Sequence, residues 1–207
     1  STTVTAQSGE IIVSGDGAVN AIPDVMTVSW SVTAESPNAG AAYQMMSDQT
    51  LALFSELERI GVPRQDVQTN MLNISERYSQ KLERTDGYSA TTGIEIRLVD
   101  LTKMDAVINI ASQDGMGTVR GISFDIADPA PYLMQARKNA VQDAMNKADV
   151  LAQAAGQKLG KVLHITEGGQ GAMPMPMMDM VRSAKAPIAL GNQSVSSSVT
   201  ITFELVD

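Results

Sequence analysis

Val25-Met26-Thr27-Val28-Ser29-Trp30-Ser31-Val32-Thr33-Ala34, followed by Ser36-Pro37 and then by Ala42, Met46, Thr50, Leu53, Leu57 and Ile60, is the stretch that decides the fold. In its first part Met26, Val28, Trp30, Val32 and Ala34 alternate with Thr27, Ser29, Ser31 and Thr33. A period of two means a strand with one buried face and one wet face. In its second part the apolar residues recur every three or four positions, which is the buried stripe of a helix. Ser36 is the expected N-cap and Pro37 the expected first helical residue. Gly61 stops the helix and Pro63 prevents its return.

Upstream, Ile11, Val13 and Val19 share one parity of a first strand that also carries Gly15 and Gly17, and Pro23-Asp24 closes it. The two glycines are expected to permit a strand bend or bulge. Downstream, strands are expected near 67–79 and 88–99 as a hairpin turning at Thr85-Asp86-Gly87. A short helix over about 102–113 ends at the Gly115–Gly117 cluster.

The second half repeats the plan. A strand at 117–127 should bury Ile122, Phe124 and Ile126. A long helix follows, opened by Asp128-Pro129 and ended by Gly156, with the stripe Leu133, Ala136, Ala140, Ala144, Ala148, Leu151 and Ala155. Then come a strand at 161–167, a Met- and Pro-rich loop at 168–191, and a last strand with Val195, Val199, Ile201, Phe203 and Leu205 inward. The expected fold is α+β: a two-lobed, antiparallel-rich sheet with helices packed on one face, in the order ββαββ-α-βαββ, with a weak internal βαββ duplication. Residues 1–9 read as a polar tail and 10–207 as a single domain. Ser1 reads as a mature end left by removal of a leader, or as an arbitrary boundary.

Composition narrows the function classes. Net charge is −8, and the 15 basic residues form no run. A nucleic-acid partner, which needs a basic stripe, is therefore not expected, nor is docking to an anionic membrane surface. No apolar run reaches the length of a membrane span. With no cysteine, thiolate nucleophiles, disulfides and Cys-ligated metals are excluded.

Catalytic sets are not legible either. His164 is the one histidine, with no G-x-S-x-G nucleophile elbow, so it reads as structural. Gly15-Asp16-Gly17 lies between strand residues, where a dinucleotide fingerprint needs a strand-to-helix turn. The carboxylate pairs Asp125/Asp128 and Glu56/Glu58 read as surface positions or helix-start signals. No cofactor is expected, and the small-molecule ligand, if there is one, is not named by the sequence. The chemical oddity is Met173, Met175, Met177, Met178 and Met180, five thioethers on eight residues. Thioethers bind Cu(I) and absorb oxidants, while the plainer reading is an adaptable apolar loop packed on a neighbouring subunit.

Several blocks together resemble the SIMPL-domain, YggE-like family of periplasmic or secreted proteins. They are Ile12-Val13-Ser14-Gly15-Asp16-Gly17-Ala18-Val19 with Pro23-Asp24, then Ala136-x-x-x-Ala140 through Lys147-Ala148-x-x-Leu151-Ala152, then Gly156-x-x-Leu159-Gly160-Lys161-Val162, and last Pro187-Ile188, Gly191 and Val195 to Leu205. The resemblance implies an envelope protein of unknown biochemical function, with no catalytic residues to transfer. It also implies homo-oligomers in some members and an association with oxidative-stress tolerance in others. The expected function is thus a non-enzymatic, homo-oligomeric binding or assembly module. The alternative is a Met-rich Cu(I)-binding or oxidant-scavenging protein. A hydrolase or transferase with an unfamiliar site has no support in the residues.

Overall fold

The computed structural model describes residues 9–174 and 190–207, with the backbone alone for 170–174. The fold is α+β with antiparallel sheets. The chain forms two compact units, one of Asp24–Ala127 and one of the stretches on either side, through Pro23 and from Asp128.

In the Asp24–Ala127 unit, β2 (Val25–Ser36), β3 (Val67–Ser79), β4 (Arg84–Leu98) and β5 (Thr118–Asp125) form a sheet in the order β3-β4-β2-β5. Helix α1 (Ala39–Arg59) buries Ala42, Met46, Thr50, Leu53 and Leu57. Its stripe joins Met26, Val28, Trp30 and Val32 of β2 and Ile94 and Ile96 of β4 in one core, so the two periods read from the sequence meet face to face. Asn38 caps α1, not Ser36: its Oδ1 accepts the Ala41 N–H at 3.1 Å, while the Ser36 Oγ accepts from Asn38 itself. The hairpin turn falls at residues 80–83, where Glu83 takes a φ of 49°, and Thr85-Asp86-Gly87 belongs to β4. Gly87 sits beside a register shift of β3, which explains a turn-like signal inside a strand.

The short α2 (Met104–Ile110) leads to Gly117, whose φ of +87° only glycine adopts without strain. A Cβ there would lie 2.3 Å from the Ser31 carbonyl oxygen. This close passage lets the Trp30 Nε1–H donate to the Met116 carbonyl at 2.7 Å, satisfying the polar end of a buried indole. β5 runs along the edge of the sheet. Ile122 is exposed there rather than buried, because an outer strand has cover on one side at most, and only Ile126, just past the strand, is fully enclosed.

The other unit holds β1 (Gly9–Ala21), α3 (Ala130–Ala154), β6 (Lys158–Pro174) and β7 (Gln193–Val206), with strand order β1-β7-β6. The Asp128 Oδ1 accepts the Ala130 N–H at 3.1 Å and so caps α3. The buried stripe is Ala136, Ala140, Ala144, Ala148 and Ala152. A strict four-residue step carries it to Ala152, and Leu151 and Ala155 are exposed. β7 buries Val195, Ser197, Val199, Ile201 and Phe203, with Leu205 half-buried. β6 extends through 168–174, where the sequence reads as loop. Pairing with β7 continues to Pro174 opposite Gln193, and strand addition overrides the local preference of glycine.

The glycines of β1 do not form a bulge. Register with β7 is unbroken from Gly9 opposite Leu205 to Ala21 opposite Gln193. A Cβ on Gly15 would lie 2.1 Å from the Ala140 carbonyl oxygen, and one on Gly17 would lie 2.1 Å from that of Ala136. These glycines exist so that the helix backbone can rest on the strand backbone.

Both units share one topology: first strand, helix, second strand, third strand, with the third strand central. The first strand is β2 in one unit and β1 in the other. The βαββ repeat therefore does not begin with the strand at 117–127, which instead extends the sheet of the other unit beside β2.

The glycine contacts generate a stability prediction. Gly15→Ala or Gly17→Ala should each cost about 3 kcal/mol or more by overpacking against helix backbone. Gly121→Ala, which meets nothing within 4 Å, should be neutral or stabilise by up to about 1 kcal/mol. Urea unfolding of the three variants checks this, and equal losses at all three positions would refute it.

Candidate functional site

The residues singled out for chemistry do not converge. His164 is exposed on β6 opposite Thr202. The Asp125 Oδ1 accepts the next backbone N–H, that of Ile126, at 2.7 Å, while Asp128 caps α3. The Glu56 Oε2 accepts from the Arg59 Nη2 at 2.8 Å, one turn along α1, and Glu58 is exposed. Asp125, Asp128 and Glu56 thus serve local backbone or a neighbouring guanidinium. Of the methionines, Met173 lies on the β6 backbone opposite Ser194. Met175, Met177, Met178 and Met180 lie outside the described residues. Among the described residues no group of three or more His, Asp or Glu is placed to hold a metal.

What the structure does bring together, and the sequence reading missed, is a polar row on α3 beside β1. The Asp143 Oδ2 accepts the Asp16 backbone N–H at 2.9 Å. The Lys147 Nζ donates to the Ser14 carbonyl at 3.2 Å and pairs with Asp143 at 2.7 Å. The Asn139 Nδ2 donates to the Ala18 carbonyl at 3.5 Å. The Asp–Lys spacing of four along a helix was a legible ion-pair signal. Its backbone targets lie more than 120 residues away in sequence and were not.

The displaced acids share a direction. Hydrogen bonding from Lys147, then from the Asp16 N–H, holds the Asp143 carboxyl below its ordinary value. Arg59 does the same to Glu56, and the Thr102 hydroxyl and N–H do so to Asp100. A general acid at neutral pH needs the opposite displacement.

Two open hollows flank the polar row. One, of about 550 Å³, is an apolar trough lined by Val13, Ser14, Asn146, Lys147, Val150 and Leu151. Its one cation is already paired with Asp143. The other, of about 380 Å³, lies by Asp16, Gly17, Ala18, Gly169 and Ser196–Ser198. Strand alternation puts the Ser197 hydroxyl on the α3 side, where it is buried with no hydrogen-bond partner among the described residues.

Comparison with known proteins gives one consistent result. Residues 11–203 match the family described as SIMPL, protein of unknown function (DUF541). The 26 kDa periplasmic immunogenic protein of Brucella melitensis is 28% identical over 217 residues, covering 98% of this chain and 87% of the relative. The uncharacterized protein YggE of Escherichia coli K12 is 27% identical over 181 residues, covering 86% of this chain and 74% of the relative. Its counterpart in Edwardsiella ictaluri is 26% identical over 197 residues, covering 94% and 82%.

The Asp143 geometry sets a pH dependence. The folded carboxyl titrates below its unfolded counterpart, so its contribution to stability is complete above the unfolded pKa and is lost as pH falls through the folded one. Asp143→Asn should therefore lower stability at neutral pH and flatten its decline below pH of about 4. Urea midpoints measured between neutral and acid pH for both proteins check this. Parallel curves would refute it.

Proposed function

The chain belongs to the SIMPL family, and from that premise we propose that it is a non-enzymatic envelope protein that assembles with copies of itself by strand addition at β3. It is a periplasmic protein, the compartment carried in the name of the Brucella relative, and no described helix is long and apolar enough to cross a membrane. We take its two units to work as one SIMPL-like domain over 10–207, since the family match runs through both.

One observation carries the assembly reading. β3 is an edge strand of 13 residues, and after Val67 no residue in it is fully buried. Met71, Leu72, Ile74 and Tyr78 are exposed on it together. A long apolar edge with open N–H and C=O groups is a template for another strand. Leu72 and Ile74 pair with the buried Thr92 and Ala90 of β4, so they prolong the core face outward to the rim of the sheet. A link to oxidative-stress tolerance belongs to this reading through family resemblance alone.

Light scattering after size exclusion tests it. At micromolar concentration the parent should have a mass above that of one 22.0 kDa chain. Ile74→Lys, a charge on the edge, should lower that mass with the far-UV spectrum unchanged. A parent that is strictly monomeric would end the proposal.

The second reading, a thioether sink for Cu(I) or oxidants, is supported by the five methionines between 173 and 180. Anaerobic Cu(I) titration of the parent against a variant with Met173, Met175, Met177, Met178 and Met180 all changed to Leu should show lost binding if it holds. Equal binding by both proteins would end it.

A further inference from the structure

Among the described strands β1 is also at an edge, yet three of its outward hydrogen-bonding groups are answered by α3. In an antiparallel ladder, alternate residues turn both N–H and C=O away from the partner strand. On β1 those residues include Ser14, Asp16 and Ala18. The Ser14 C=O receives Lys147, the Asp16 N–H is taken by Asp143, and the Ala18 C=O receives Asn139. One donor or acceptor from α3 answers each of three successive outward positions.

The match has a geometric basis. Four residues of helix rise about 6 Å and two residues of strand advance about 6.6 Å, so a helix row at steps of four runs beside a strand row at steps of two. The row Asn139, Asp143, Lys147 therefore meets Ala18, Asp16, Ser14 in reverse order. The glycine contacts bring the helix close enough for short side chains such as Asn and Asp to reach round to the edge.

We infer that Asn139, Asp143 and Lys147 are an edge guard: they stand in for a fourth strand on β1, prevent a second copy of this chain from adding there, and so turn association toward the other sheet edges, β3 being the one that takes it. The last clause rests on the assembly proposed above, whereas the guard itself does not.

The test compares the parent with Asp143→Ala/Lys147→Ala, each with and without Ile74→Lys. Amide exchange by NMR at one pH should quicken at least tenfold at Asp16 and stay unchanged at Gly15 and Gly17, whose amides face β7. Light scattering should show a higher mass for the guard variant, including in the Ile74→Lys background where β3 is blocked. Unchanged mass overturns the guard, even if the Asp16 amide opens. Unchanged exchange at Asp16 overturns it too, since the bond would then not protect the edge. If the double variant loses its far-UV signal, Asp143→Leu, which keeps the bulk of the side chain and removes the acceptor of the Asp16 N–H, carries the same comparison with the same two outcomes. Should Ile74→Lys fail to lower the parent's mass, the β3 reading falls while the guard comparison stands.

Discussion

The carbonyl oxygens of Ala136 and Ala140 rest where the side chains of Gly17 and Gly15 would have been, and the build of the three-stranded unit follows from that contact. Helices normally ride on a sheet at a distance set by interleaved side chains. Here two missing side chains on the strand and a row of methyl groups on the helix remove most of that spacer. Dispersion between two close backbones replaces the burial of large residues. That is how a unit whose largest fully buried side chains are Phe203 and Ile201 acquires a packed interior. The Asp24–Ala127 unit takes the other route, filling its space with Trp30, Met26, Leu53, Leu57 and Ile94.

Close approach also sets a limit. Helix and strand steps differ by roughly 0.6 Å per rung, so the two rows drift apart as they are extended. The alanine stripe has five members and the polar row beside it has three. A ladder of that length stays within hydrogen-bonding tolerance. The intimacy of β1 and α3 is thus confined to the middle of both.

Local periodicity made much of this legible. The alternation of 25–34, the stripe of α1, the alanine helix and the last strand are all signals carried within about twenty residues, and each falls where the sequence places it. What was hidden depends on partners remote in the chain. Gly15 and Gly17 look like a bulge until α3 is laid across them. Asp143 and Lys147 look like a solvated helix face until the Asp16 N–H and Ser14 C=O are found beneath them. Residues 168–174 look like loop because glycine and proline are judged alone, whereas β7 supplies the pairing that holds them extended. The repeat was visible, but not that β1 rather than β5 supplies its first strand, since nothing local marks which strand another will choose. Of chemistry, the sequence reading assigned His164 and the named acids to no reactive set; the structure places Asp125 and Asp128 on nearby backbone and Glu56 on Arg59.

The seat of Trp30 has a practical corollary for anyone following this protein by light. The chain's single indole is sealed within the Asp24–Ala127 unit, held through its nitrogen by the Met116 carbonyl. Of the four tyrosines only Tyr132 belongs to the other unit. A tryptophan emission trace is therefore a witness to one half of the molecule, and the alanine-and-glycine half can come apart without registering in it. Agreement between fluorescence and a backbone probe such as circular dichroism is what would license treating the chain as a single cooperative body.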